Sequence, residues 1–166
     1  SVLRCFARAP DGLDHMIACE TCASTLAEVL GKTALNTVRA TLLDLLAAMA
    51  GHSHSGAKAV KVAIEGRSTR KLSVLQCAVK YEFLTRWMKV EPDLRLCAAC
   101  LRFVNTIIAA SSTLNRRVAR RRVFVELHIR DICAMLRSIH GRAPSPAAQD
   151  LLAAIDTFAD RADADD

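Results

Sequence analysis

The feature that most constrains the fold is the recurrence of apolar residues at helical spacing between short breaking segments. The clearest repeat lies in residues 35–50, where apolar positions fall three or four residues apart: Leu35, Val38, Leu42, Leu45, Leu46 and Met49. Hydrophobic residues make up 52% of the 166 positions, whereas glycine, proline and aromatic residues are scarce. A chain of this length and composition favours one all-α domain with a substantial core.

Glycine- and proline-containing breakers between the apolar repeats predict where each helix ends. We expect a loop at residues 52–56, and helices over residues 2–9, 13–18, 21–30, 35–50, 57–65, 71–88, 93–110, 116–127, 129–139 and 147–159. The helix at 71–88 should bury one apolar face formed by Leu72, Leu75, Val79, Phe83 and Trp87. Helices of this length with short joints suit a stacked solenoid. Because no sequence repeat of fixed period is evident, a compact irregular bundle fits the pattern almost as well.

The positive charge is concentrated in two segments of the chain. The formal net charge is +6, residues 58–89 are rich in lysine and arginine, and residues 150–166 are acidic. The densest cluster is a predicted basic face on one helix, formed by Arg116, Arg117, Arg120, Arg121 and Arg122. Arginines four residues apart on a helix repel one another mildly, which favours an acidic partner. That partner could be nucleic acid, an acidic membrane surface, an acidic protein or the acidic end of this chain. A solvated face whose arginine stems cover apolar surface is equally compatible with the pattern.

Seven cysteines include two CxxC pairs, Cys19/Cys22 and Cys97/Cys100. Zinc sites made from two such pairs usually have about 15–20 residues between them, and the segment between these pairs is far longer. We therefore expect thiols buried in a core and a reduced, cytosolic compartment. His52 and His54 have no carboxylate or thiol near them in sequence, so they are expected to lie in solvent without binding a metal.

Fingerprints of catalysis are absent from the sequence. No hydrolase, metalloprotease, phosphate-loop or dinucleotide-binding motif occurs. Uncharged runs are also shorter than the roughly 20 residues that a membrane-spanning helix needs. We therefore expect a soluble protein that is not an enzyme and that has no metal, no cofactor and no transmembrane segment.

Residues 100–137 carry the most specific pattern. They begin CLRFVNTII, with Asn105 inside an apolar stripe, continue LNRRVARRRVF and end in LR. This stretch resembles the end of the armadillo-like regulatory region of diaphanous-type formins, the third formin-homology region. In that region C-L-x-F-I-N-x-x-I precedes L-x-x-R-x-x-x-R-x-x-F and a final helix ending L-R. The matching positions are Cys100, Leu101, Phe103, Asn105, Ile108, Leu114, Arg117, Arg121, Phe124, Leu136 and Arg137.

The resemblance implies an all-α, armadillo-like helical-repeat solenoid with a regulatory function. The regulatory domain would cover residues 1–142, followed by a linker at 143–146, a terminal acidic helix at 147–160 and a disordered tail at 161–166. Its groove would bind an amphipathic helix, either the C-terminal autoregulatory helix of the same protein or the helix of a localisation partner. The residues that the resemblance places in this groove are Leu42, Leu45, Met49, Arg102 and Asn105.

The wider setting implied by the resemblance is an actin-assembly factor under Rho-type GTPase control. The GTPase would bind mainly upstream of this segment, and actin would contact other domains of the parent protein, in the cytoplasm and at the cytoskeleton. The alternative is a basic helical-repeat module that binds nucleic acid or an acidic membrane through the arginine face at residues 116–122.

The last predicted helix carries an apolar stripe that needs a partner, formed by Leu151, Leu152, Ile155 and Phe158. We expect this helix to cap the domain within the same chain, with its acidic side against the arginines at 116–122. Dimerisation is then expected to depend on residues outside the chain.

Overall fold

The computed structural model describes Ala9 and residues 11–66, 73–90, 93–142 and 145–163. Every regular element in these ranges is a helix, so the all-α prediction is confirmed for the described residues. The helix predicted at residues 2–9 lies outside them, apart from Ala9. None of the helices in the described ranges is long and apolar enough to cross a membrane.

Nine helices occur in the described ranges, and most lie within a few residues of their predicted bounds. They are α1 (Gly12–Ala18), α2 (Cys22–Lys32), α3 (Asn36–His52), α4 (His54–Glu65), α5 (Val74–Val90), α6 (Leu94–Ala109), α7 (Leu114–Glu126), α8 (Ile129–His140) and α9 (Pro146–Asp163). Pro146, predicted to end a linker, is instead the first residue of α9, a position that suits proline because the first helical amide needs no partner.

The prediction of a loop at residues 52–56 is wrong. Only Ser53 separates α3 from α4, and its hydroxyl accepts a hydrogen bond from the Gly56 amide at 3.1 Å, which caps α4. Gly56 itself lies inside α4 and is buried. A Cβ there would be 1.9 Å from the Met49 carbonyl oxygen, so this glycine permits close packing of two helices. Gly66, with a φ of 85°, does end α4 as predicted.

The helices pack in a pattern that recurs every three elements. The two most extensive contacts join α3 to α6 and α6 to α9. Likewise, α2 packs on α4 and α5 packs on α7. The helices α3, α6 and α9 therefore lie side by side as one layer, which we call the inner layer. Helix α6 is at its centre, and eleven of its sixteen residues are buried.

The predicted buried face of α5 is only partly correct. Leu75 and Val79 are exposed at 68% and 62%, whereas Trp87 is buried and Phe83 is half-buried. The side that enters the core instead carries Ala78, Tyr81, Leu84, Thr85 and Met88. Tyr81 anchors this buried side of α5, because its ring packs edge-on against Phe124 of α7 with 5.2 Å between the ring centroids. Leu72 lies outside the described residues.

Candidate partner-binding cleft

An open cleft of about 840 Å³ crosses the inner layer. Helices α3, α6 and α9 each contribute residues to it, and α1 contributes Leu13. The lining residues are Leu13, Asp44, Ala47, Ala48, Gly51, His52, Arg102, Asn105, Thr106, Asp150, Ala153, Ala154, Thr157 and Arg161. This surface combines small side chains with charged ones.

Helix α3 presents a row of small residues to the cleft. Ala47 and Ala48 each lie three or four residues from both Asp44 and Gly51, so the four residues share one helical face. Because these side chains are so short, another backbone can approach α3 closely along this face. Asp44 and His52 mark the polar limits of the row.

The structure places the predicted α3 groove residues elsewhere. Leu42, Leu45 and Met49 are all buried in the hydrophobic core, and none of them lines the cleft. The cleft-lining residues Asp44 and Ala48 immediately precede Leu45 and Met49 and therefore lie about 100° away around the helix axis. The large apolar side chains of α3 point into the core because burial there removes the most surface from water.

Both predicted groove residues of α6 do line the cleft. Arg102 donates two hydrogen bonds to Asp44 Oδ1, from Nη2 at 2.8 Å and from Nε at 3.1 Å, and so joins α6 to α3. Asn105 is buried, and its Nδ2 donates to the main-chain carbonyl oxygen of Ala154 at 2.9 Å. These contacts fix both neighbouring helices on α6.

Helix α9 forms the third wall and packs within the same chain, as expected. Its buried apolar side chains include Leu151, Ile155 and Phe158, and the helix contacts α6 and α8. Its acidic side was expected to meet the arginine cluster. Of the carboxylates in the described part of this helix, Asp156 pairs with Arg137 of α8.

The fold places the five arginines of the predicted basic face in different surroundings. Arg121 is buried at 6% exposure, and its guanidinium donates to the carbonyl oxygens of Phe158 at 3.1 Å and Arg161 at 2.6 Å. These carbonyls lie in the last turns of α9, where a positive charge is favourable. In the described residues, the last helix thus meets the cluster through main-chain carbonyl oxygens that accept from Arg121.

A second arginine of the cluster also faces inward. Arg120 pairs with the buried Glu65 of α4 and lies over the Tyr81 ring, 5.9 Å from its centroid. Arg117 is half-buried, and Arg116 and Arg122 are exposed. The five arginines consequently do not form one solvent-facing surface.

The histidines and cysteines are distributed differently from the sequence expectation. His52 has an acidic partner that is distant in sequence. Its Nε2 lies 2.8 Å from Oδ1 of Asp14 in α1. Cys97, Cys100 and Cys133 are buried thiols, as predicted, but Cys19 is exposed and Cys22 is half-buried. No group of three or more potential metal ligands occurs among the described residues.

Neither a protein-family model, nor a curated protein, nor a solved structure matches this chain in the comparisons with known proteins.

Proposed function

We propose that this chain is a regulatory protein-interaction module of the diaphanous-type formin class, which binds an amphipathic helix in the inner-layer cleft. The observation that carries the proposal is the cleft itself, which is lined by three adjacent helices and by both small and charged side chains. Recognition of a helix in a groove needs such a surface, where the bound helix places apolar anchors at every third or fourth position.

The volume of the cleft is large enough for a short helical segment. An α-helix with its side chains is about 10 Å across and rises 5.4 Å per turn, so about two turns occupy a volume close to that of the cleft. Ala47, Ala48 and Gly51 offer space for apolar anchors. The exposed Asp150 offers a carboxylate to a basic residue of the bound helix.

The three-helix recurrence supports an armadillo-like architecture. Armadillo repeats are built from two or three helices, and stacking of equivalent helices produces an extended concave surface. In such an architecture, the adjacent helices α3, α6 and α9 would be the equivalent members of successive repeats. Asn105, part of the formin-like pattern, lies on the middle one and bonds to the next.

In the proposed setting, the ligand is the C-terminal autoregulatory helix of the parent actin-assembly factor or the helix of a targeting protein. A Rho-type GTPase that binds upstream would release the helix by favouring a state with lower affinity for it. Actin would be bound by other domains, and the protein would act in the cytoplasm at the cytoskeleton.

The nucleic-acid or membrane alternative is weakened by the inward contacts of Arg120 and Arg121. Their guanidinium groups are already occupied by Glu65 and by the carbonyls of α9. Within this cluster, such binding would therefore depend mainly on the exposed Arg116 and Arg122, and few phosphate contacts produce a shallow dependence on salt.

The test is a fluorescence-anisotropy titration with a labelled autoregulatory helix of a diaphanous-type formin. Ala48→Glu places a carboxylate in the cleft at an exposed helical position and should weaken binding at least about 10-fold. Ala134→Glu, the same change at an exposed position of α8 outside the cleft, should leave the affinity unchanged. Equal affinities of the two variants would exclude the cleft as the binding site.

A further inference from the structure

The turn between α1 and α2 brings two thiols together. Cys19 follows α1, and Cys22 is the first residue of α2. The Cys22 amide donates to the Cys19 carbonyl oxygen at 3.1 Å, which closes a four-residue turn. A turn of this kind holds its terminal Cα atoms within about 7 Å, and a disulfide needs a Cα separation of about 4.4–6.8 Å. The Cα separation in this turn is therefore compatible with a disulfide between Cys19 and Cys22.

The two thiols have different surroundings. Cys19 is exposed, and its sulfur lies 3.7 Å from the Thr21 hydroxyl oxygen. Hydrogen bonding to Thr21 lowers the pKa of Cys19 below its ordinary value. Cys22 is half-buried, and burial, followed by the charge of Cys19, raises its pKa. An accessible, more acidic thiol beside a shielded one is the usual arrangement of a nucleophilic and a resolving cysteine.

The second CxxC pair shows that spacing alone does not create this arrangement. Cys97 and Cys100 lie within α6 and are both fully buried. Burial raises the pKa of Cys97 to about 11 and raises that of Cys100 well above its ordinary value. These thiols are closed to solvent reagents and are poor nucleophiles, so they provide an internal control with the same sequence spacing.

We propose that Cys19 and Cys22 form a dithiol–disulfide exchange site that reacts with low-molecular-weight disulfides. The Cys19 thiolate attacks one sulfur of the disulfide, forming a mixed disulfide and releasing the first thiolate. The Cys22 thiol then loses its proton to solvent and attacks the Cys19 sulfur, releasing the second thiolate. The two protein thiols are oxidised to one disulfide, and the small disulfide is reduced to two thiols. Neither cysteine lines the cleft, so the site is independent of the proposed helix binding.

The test uses the full chain carrying Cys5→Ser, which removes the one cysteine outside the described residues. The protein is equilibrated in mixtures of reduced and oxidised glutathione, alkylated, digested and analysed by mass spectrometry. We expect a disulfide between Cys19 and Cys22, while Cys97 and Cys100 remain reduced. In Cys22→Ser the resolving step is lost, so a mixed disulfide of glutathione with Cys19 should accumulate. In Cys19→Ser, glutathione should react with Cys22 at least about 10-fold more slowly than it reacts with Cys19 in Cys22→Ser.

The control is the Cys97→Ser/Cys100→Ser variant, in which the bond between Cys19 and Cys22 should form at the same glutathione ratio. The proposal is overturned if the Cys5→Ser protein keeps both thiols of the turn reduced in oxidised glutathione. A mixed disulfide that is never resolved into the intramolecular bond would overturn it equally.

Discussion

Asn105 of α6 and Ala154 of α9 are joined by a hydrogen bond of 2.9 Å, from the side-chain amide to the main-chain carbonyl oxygen. Arg161 of α9 returns a bond from its guanidinium to the Asn105 carbonyl oxygen at 3.1 Å. The two bonds run in opposite directions between the same pair of helices. They attach α9 to the centre of the inner layer and complete the third wall of the cleft.

The first prediction concerns this attachment. Asn105→Ala removes a buried donor, and we expect a loss of about 1–3 kcal/mol in the free energy of unfolding, measured by urea denaturation. Thr157→Ala is the control. Its hydroxyl bonds only to the Ala153 carbonyl of its own helix, so its loss should cost well under about 1 kcal/mol. A similar small cost for both variants would show that Asn105 does not hold α9 in place.

A second prediction separates the core face of α3 from its cleft face. Leu45 is 3% exposed, so Leu45→Ala should lower the free energy of unfolding by about 2–5 kcal/mol. Ala48 is exposed on the neighbouring face, and Ala48→Glu should change stability by less than about 0.5 kcal/mol. Thermal or urea unfolding of the two proteins measures this difference. A stable Leu45→Ala variant would contradict the placement of Leu45 in the core.

The third prediction concerns the buried pair of Glu65 and Arg120. Arg120→Met leaves the Glu65 carboxylate buried, where its other partners among the described residues are the Tyr81 hydroxyl at 2.9 Å and Lys61 Nζ at 4.0 Å. We expect a loss of about 3–5 kcal/mol. Glu65→Gln combined with Arg120→Met removes both charges and should recover much of that loss.

The exposed pair of Glu28 and Lys32 on α2 is the matched control for the buried pair. Lys32→Met should cost less than about 1 kcal/mol, because a solvent-exposed ion pair contributes little. Chemical denaturation of all four proteins under one condition provides the comparison. If the double variant were no more stable than Arg120→Met alone, the loss of stability in Arg120→Met could not be due to an uncompensated charge on Glu65.

The fourth prediction is a loss of stability at alkaline pH. Burial raises the pKa of Cys97 and of Cys133 to about 11, from an ordinary value of 9.0. Above pH 9 the unfolded chain loses these protons first, so the thiols' contribution to stability is complete below pH 9 and is lost as pH rises towards 11. Urea unfolding across this range should give a shallower decline for Cys97→Ala/Cys133→Ala than for the original chain. Cys19→Ala should not make the decline shallower, because a thiol whose pKa is lowered on folding favours the folded chain as pH rises.

Helix formation along this chain was predictable from local pattern. The apolar repeat of α3, the Asp93 cap that accepts from the Leu96 amide at 3.0 Å and the stop at Gly66 all act within a few residues. The same local reasoning predicted a loop at residues 52–56, and that prediction was wrong. There Gly56 serves the contact of α4 with Met49 and does not break a helix.

The residues of the cleft were predictable only in part, because local pattern does not report contacts between residues far apart in the chain. Arg102 and Asn105 belong to a local pattern and do line the cleft, whereas Leu45 was assigned to the wrong side of α3. Nothing near His52 in sequence indicates Asp14, and nothing near Arg121 indicates the carbonyls of α9.

The sequence by itself determined that the chain is helical, roughly where its helices lie and which positions share a helical face. Only the tertiary structure decided which face each helix buries, that Arg121 enters the interior and that α9 forms one wall of the cleft. Periodicity reports the spacing of apolar side chains around one helix, but the neighbour that covers them is selected by contacts between residues far apart in the chain. Such contacts also decide whether an arginine can lie inside, because a buried guanidinium is stable only where carbonyl or carboxylate oxygens meet it.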